Sequence, residues 1–222
     1  MTLGLRLFLV VALLCGVSYA ATCPPPGFDS VPDLDIDRYI SAPWYIQKQI
    51  PVIYQREDQL FCVQAQYKRL NDDTVQVFNY ANEGKVNGPS QTTDGQGSGI
   101  FGGRLLGKIE NLDDPSKLSV GFAGPVGDTP LFAGPYWIVA LDDDYQWAII
   151  TGGPPTAESN DACGYSNEGV NGNGFWLFSR KPIDPEATAI MEEKAKELGL
   201  DTSVLLPVEQ KGCKYEGAGI PE

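Results

Sequence analysis

The stretch from Gly134 to Ile150 constrains the fold of this chain more than any other. Pro135-Tyr136-Trp137-Ile138-Val139-Ala140-Leu141 and Gln146-Trp147-Ala148-Ile149-Ile150 flank a short acidic turn, Asp142-Asp143-Asp144-Tyr145. Aromatic and β-branched residues on both sides of such a turn predict a hairpin. In an extended chain Trp137, Val139 and Leu141 share one face, and Tyr136, Ile138 and Ala140 the other. Both faces are apolar, so the hairpin is expected to be covered outside as well as inside. Together with Trp44 and Trp176 it predicts a small β-barrel with an aromatic interior, a shape that can hold a hydrophobic molecule.

Further strands are expected over Trp44–Gln49, Gln59–Arg69, Thr74–Ala81, Ile100–Glu110, Lys117–Phe122, Tyr136–Leu141, Gln146–Gly152 and Gly174–Arg180. Eight in succession predict an all-β, eight-stranded, antiparallel up-and-down barrel over about 43–181. A short helical turn is expected at Asp35–Tyr39. One good helix follows the strands, at about 185–198, with Asp184 as cap, Pro185 in the first turn and Gly199 at the stop. Ala187, Ile190, Met191 and Leu198 form its apolar stripe, which predicts docking on the outer barrel wall. A tail over 200–222 completes the chain.

The connections alternate in length. Leu70–Asp73, Asn111–Ser116 and Asp142–Tyr145 are short and acidic; Ile50–Asp58, Asn82–Ser98, Ala123–Pro135 and Gly153–Asn173 are long. Alternate connections lie at opposite ends of such a barrel. One end is therefore tight and the other is ringed by long loops, the arrangement of a binding mouth.

Arg6, the apolar run Leu7–Val17 and Ser18-Tyr19-Ala20 read as a secretory signal peptide over 1–20. No other segment is long and apolar enough for a membrane span, so a secreted, single-domain chain over 21–222 is expected. Cys15 leaves with the leader. Cys23, Cys62, Cys163 and Cys213 remain, without CxxC spacing, and in an exported chain they predict two disulfides of three possible pairings. The net charge is −13, one unit more negative without Arg6, which disfavours nucleic acid as a partner. The chain has no histidine. That removes Ser-His-Asp and Cys-His catalysis and most zinc sites; no metal or cofactor is expected.

Three segments, in order and spacing, resemble the lipocalin family, and within it the branch of apolipoprotein D and the bacterial outer-membrane lipocalin. They are Tyr39-Ile40-Ser41-Ala42-Pro43-Trp44-Tyr45, Tyr136–Ile150 and Phe175-Trp176-Leu177-Phe178-Ser179-Arg180-Lys181-Pro182. Ala42 stands where the family prefers glycine. The resemblance implies a calyx whose closed end is plugged by Trp44, with Arg180 stacked across it. It also implies disulfides Cys23–Cys163 and Cys62–Cys213.

Alternation along the second strand puts Val63, Ala65 and Tyr67 inside, and along the third Val77 and Asn79. The resemblance places the ligand pocket at Tyr67, Asn79, Trp137 and Trp176, and Val139 shares the face of Trp137. The expected function is that of a secreted lipocalin. It would carry or sequester a fatty acid, lysolipid, steroid, carotenoid or bilin, without chemistry, and Tyr67 and Asn79 would orient the polar end of the ligand. Two alternatives stand beside it. One is a lipocalin-fold enzyme acting on a bound lipid or carotenoid, for which Asp142, Asp143 and Asp144 are the densest acid cluster. The other is an interaction protein whose mouth loops grip a receptor or a second copy as a homodimer, favoured by any exposed patch at Val52-Ile53-Tyr54.

Overall fold

The computed structural model describes residues 22–93, 104–124, 129–165, 171 and 174–220. The expected leader lies outside the described residues, as do parts of the loops expected at the mouth and the first residues of the strand expected from Ile100. Eight strands form the barrel: β1 (Trp44–Gln49), β2 (Phe61–Arg69), β3 (Thr74–Asn82), β4 (Leu105–Ile109), β5 (Lys117–Ala123), β6 (Pro130–Leu141), β7 (Trp147–Thr151) and β8 (Phe175–Ser179). Each pairs antiparallel with its neighbour in sequence. β8 returns to β1, with Tyr45 opposite Ser179 and Gln49 opposite Trp176, so the sheet closes. Strand β6 begins six residues earlier than expected, because Pro130 and Leu131 still pair with Ala123 and Phe122.

The tight end is sealed by α1 (Ile36–Ile40). The Asp35 carboxylate caps it, accepting from the N–H groups of Asp37 and Arg38 at 3.1 Å each. Short turns meet it there: Arg69 Nε donates to Asp37 at 2.8 Å, and the Asp35 N–H donates to the Tyr145 hydroxyl at 2.8 Å. The acidic residue Asp142 serves the turn itself, accepting from the N–H groups of Gln146 and Trp147 at 2.6 and 2.8 Å.

Two apolar layers share the barrel wall. Trp44, Val75, Leu118, Ile150 and Phe178 point inward. Ile149, Phe175 and Leu177 point outward against α2 (Pro185–Glu197). The Asp184 carboxylate accepts from the Ala187 N–H at 3.2 Å, and Gly199 ends the helix at φ +77°. The buried stripe is Ala187, Met191 and Ala195. Ile190, expected in it, is 47 % exposed: it is turned by about 100° from Met191, off the narrow line touching the wall.

Cys23 is bonded to Cys163 and Cys62 to Cys213, the pairing that the resemblance implies. The segment 153–173, read from sequence only as a long loop, contains a small hairpin of Ala157–Ser159 and Ala162–Gly164. Cys163 stands in it, and its N–H and C=O bond to Gly199 and Asp201 at 2.7 and 3.0 Å. One disulfide thus joins the N-terminal arm, this hairpin and the end of α2. The second ties β2 to the C-terminal tail, where Gln210 Nε2 donates to the carbonyls of Ile46 and Val63 at 2.8 Å.

Candidate functional site

The barrel interior narrows from the mouth to a plugged floor. Trp44 is fully buried there, and its indole N–H donates to the Tyr39 carbonyl at 2.9 Å. Below it Arg180 lies 3.5 Å from the centroid of the Trp44 ring. The guanidinium N–H groups donate to the carbonyls of Arg38, Tyr39, Pro43 and Tyr145 at 2.8–3.2 Å, and to that of Ala42. Burial pulls Arg180 down to about 10, still protonated at neutral pH. Arg180 stacked across Trp44 at the closed end is the arrangement that the resemblance implies for the pair.

Above Trp44 three tyrosines meet. The Tyr39 and Tyr67 hydroxyls lie 2.6 and 2.7 Å from that of Tyr136. Burial raises all three, Tyr67 to about 12 and the other two well above the usual phenol value. Over them lies a cavity walled by Val63, Ala65, Tyr67, Val77, Asn79 and Trp176, six of the eight residues expected to contact ligand. Its upper rim is a polar pair, Tyr54 donating from its hydroxyl to Asn171 Oδ1 at 2.7 Å. Among the described residues that line it, none is Asp, Glu, Lys or Arg. The space open to the centres of water molecules is ≈ 30 Å³, enough for about one or two waters. The aromatic side chains therefore fill most of the barrel.

Trp137 and Val139, expected inside, stand on the outer face. Val139 packs in the layer under α2, and Trp137 lies against that layer beneath Lys117, whose ammonium is 4.4 Å from the ring centroid. Tyr136 and Ile138 hold the inner positions instead. Two causes combine. The strand is apolar on both faces, so its alternation carries no sign of which face is inner. The pairing of β6 with β7 also shifts between Ile138 and Ala140, a bulge that puts Val139 and Ala140 together in the outer layer and Leu141 against the inner one.

Sequence reasoning missed Tyr39, Tyr54, Tyr136 and Asn171. Tyr136 was legible as the opposite phase of the hairpin. Asn171 lies in a segment without periodicity, and backbone packing puts it in the mouth. A Cβ on Gly152 would meet the Asn171 carbonyl oxygen at 1.6 Å, and one on Gly134 its backbone nitrogen at 2.7 Å. Of the three residues whose joint exposure would favour an interaction protein, only Ile53 is exposed, at 65 %, while Val52 is buried and Tyr54 lines the cavity.

The alternative acid cluster, Asp142–Asp144, lies in the turn at the closed end, and none of the three lines the cavity. A wider depression of ≈ 380 Å³ opens beside that turn, lined by Arg38, Tyr45, Asp144 and Arg180 among others. Its cations are already engaged: Arg38 stacks on Tyr145 at 4.1 Å, and Arg180 is spent on carbonyls. Among the described residues no group of His, Cys, Asp and Glu is placed to hold a metal ion, and no helix is long and apolar enough to cross a membrane.

Comparison with known proteins agrees with this architecture. Temperature-induced lipocalin-1 of Arabidopsis thaliana is 27 % identical over 195 residues, covering 86 % of this chain and 88 % of its own. The outer membrane lipoprotein Blc of Citrobacter freundii is 26 % identical over 216 residues, covering 94 % of this chain and all of its own. A sequence of Acanthamoeba polyphaga mimivirus assigned to the lipocalins is 28 % identical over 125 residues, and the match spans only 63 % of that protein and 55 % of this chain. Among solved structures, lobster apocrustacyanin A1 superposes with a TM-score of 0.54 at 16 % identity, over 82 % of this chain and 84 % of that one. The family model described as a lipocalin-like domain matches residues 34–159, more than half of the sequence. The chain belongs to the lipocalin family.

Proposed function

We propose that this lipocalin carries or sequesters a small, slender hydrophobic ligand in its calyx, without chemical conversion, after export from the cell. The lipocalin fold supports binding of small hydrophobic ligands. The observation that carries the finer reading is the uncharged cavity between Val63, Ala65, Val77 and Trp176, open toward the Tyr54–Asn171 pair. Affinity comes from apolar area removed from water, about 25 cal/mol per Å2, and the amide of Asn79 and the hydroxyl of Tyr67 orient the polar end. Two disulfides support export, because such bonds persist in oxidising compartments. The narrowness of the cavity favours unbranched ligands over fused rings. The reading without chemistry is supported by the described lining of the cavity, which holds phenols and amides and no carboxylate to act as a general base.

A second reading rests on the same ≈ 30 Å³. The barrel would be a side-chain-filled core, and the mouth loops would bind another macromolecule. Native mass spectrometry of protein from an oxidising secretion host, before and after organic extraction, separates the two. It is followed by titration with fatty acids, lysolipids, steroids, carotenoids and bilins. A bound or titratable ligand supports the calyx; rejection of the whole panel sinks it in favour of the loops.

A further inference from the structure

The mouth of the barrel carries apolar side chains that the fold holds out into solvent. Phe132 is 80 % exposed and Leu131 43 %, and both belong to β6 rather than to a loop. The pairing of β5 with β6 shifts between Val120 and Phe122, so that Phe132 and Ala133 together face Gly121. Such a bulge re-aims a side chain. Gly121 makes room for it: a Cβ there would stand 2.5 Å from the Leu131 carbonyl oxygen and 2.8 Å from Ala133 Cα. Phe132 adopts φ +51°, in the left-handed region that a bulky side chain rarely enters. The backbone is thus strained to hold a phenyl ring in water, and strain of this kind gathers where function uses it.

Ile53 is held out likewise. Val52 and Gln55 exchange both backbone hydrogen bonds at 3.0 Å, which leaves Ile53 at the tip of a tight turn. Both segments flank the rim residue Asn171. Tyr54, next to Ile53, donates to its side chain, and Gly134, two residues after Phe132, packs on its backbone. Phe132, Leu131 and Ile53 therefore stand at the open end of the calyx.

The size and charge of this patch say what covers it. With about 150–200 Å2 for each whole side chain, the exposed parts amount to roughly 350 Å2. A stable protein interface needs about 800 Å2 per partner, so a second copy of this chain is a poor fit. A bilayer needs no shaped counterpart; a few apolar side chains entering its interface suffice. Residues 49–55 and 129–141 carry no charge. Arg56, the next cation along the chain, is paired with Asp58 at 2.9 Å and with Glu83 at 3.7 Å. The acidic turns at 70–73, 111–116 and 142–145 belong to the opposite, closed end. An uncharged rim on a chain of net charge −13 suits a zwitterionic lipid surface, not an anionic one.

We propose that the mouth docks on zwitterionic membrane, with Phe132 as the inserted anchor and Leu131 and Ile53 beside it. Docking does not require a hollow calyx. With one, it sets the opening against the lipid phase from which a hydrophobic ligand enters.

Flotation with phosphatidylcholine vesicles tests this on the secreted, disulfide-intact protein, freed of the apolar run over 7–17. Phe132→Asn is the deciding variant, because Asn tolerates a left-handed φ and lacks the ring. Binding should fall at least about tenfold, while the thermal midpoint stays level or rises. Ile53→Ser should weaken binding about three- to tenfold. Ile190→Ser, at an exposed position on α2, should change it by less than about twofold. Adding phosphatidylserine to the vesicles should not tighten binding. No binding by the parent, unchanged binding in Phe132→Asn, or an equal loss in Ile190→Ser overturns the proposal. A lowered midpoint in Phe132→Asn assigns the ring to packing, and a parent dimer split by that variant makes the patch an interface between copies; either result also overturns it. A barrel that rejects every small ligand would sink the calyx reading and leave vesicle binding untouched, so the two failures are distinct.

Discussion

Arg180 lies 3.5 Å from the centroid of the Trp44 ring and holds the closed end of the barrel from outside. Trp44 comes from the first strand and Arg180 from just past the last, so the pair bridges the seam where β1 meets β8. The guanidinium fork reaches carbonyls of α1, of the residues before β1 and of the acidic turn at once. A stacked cation is worth about 0.5–2 kcal/mol and hydrogen bonds to a charged group about 1.5–3 kcal/mol each. Arg180→Leu is therefore expected to destabilise the fold by about 2–4 kcal/mol, seen as a lower denaturation midpoint. Arg180→Lys should recover less than half of that, because a point charge cannot span the same carbonyls. A midpoint unchanged in Arg180→Leu would mean that the stack is ornamental.

The two tryptophans expected to share the pocket should behave differently. Trp176→Phe trims the cavity wall and should weaken a bound hydrophobic ligand by about three- to tenfold, through lost apolar contact. Trp137→Phe alters only the outer layer beneath Lys117 and should leave affinity within about twofold. Titration by competition with a fluorescent lipid checks both. An equal loss in the two variants would put Trp137 back inside.

Reduction should be severe. The disulfides close loops with sequence separations of 140 and 151 residues. Loops of that length correspond to about 5 kcal/mol each in the chain-entropy treatment. Cys23→Ser/Cys163→Ser should also loosen the hairpin at 157–164 from the end of α2, because the Cys163 backbone bonds to Gly199 and Asp201. Hydrogen exchange at those amides reads this directly; protection equal to the parent would show that the backbone bonds suffice alone.

Stability should be flat from about pH 5.5 to 8, since the chain has no histidine to titrate there. Below that range it should decline. The side-chain hydrogen bond from Lys117 holds the Asp29 carboxyl below its usual value, and Lys108 does the same for Asp73. A carboxyl lowered in the folded state contributes stability above its unfolded pKa, about 3.9, and loses it as pH falls through the folded value. Asp29 is exposed and Asp73 partly so, and the decline should therefore be shallow and salt-sensitive. A denaturation midpoint that changes sharply between pH 6 and 7 would contradict this.

Gly152→Ala should disturb the mouth. The new Cβ would meet a backbone oxygen of Asn171 at 1.6 Å, which cannot yield like a side-chain tip. Asn171 must move, and its bond to Tyr54 goes with it. Faster ligand exchange, with thermal stability lowered by about 1–3 kcal/mol, is the expected outcome. An unchanged exchange rate would show that the Tyr54–Asn171 pair does not limit access.

The barrel itself was legible in the chain because its local signals agree. Strand-length apolar runs, acidic turns, the Asp184–Pro185 helix start and the Gly199 stop all depend on neighbours in sequence, and they lie close to where they were expected. Val63, Ala65 and Tyr67 faced inward as expected, because Gln64 and Gln66 alternate with them and give that strand a polar side. The strand Tyr136–Leu141 has no polar side, so its inner face could not be read. Tertiary packing decided it: α2 covers Val139, the bulge resets the phase, and Tyr136 turns in to meet Tyr39 and Tyr67. Asn171 and the tyrosine floor likewise depend on contacts between residues far apart in sequence. Local periodicity therefore determined the strands, their order and their closing helix. Only long-range packing determined which side chains face the cavity, because alternation gives two faces and burial alone chooses between them.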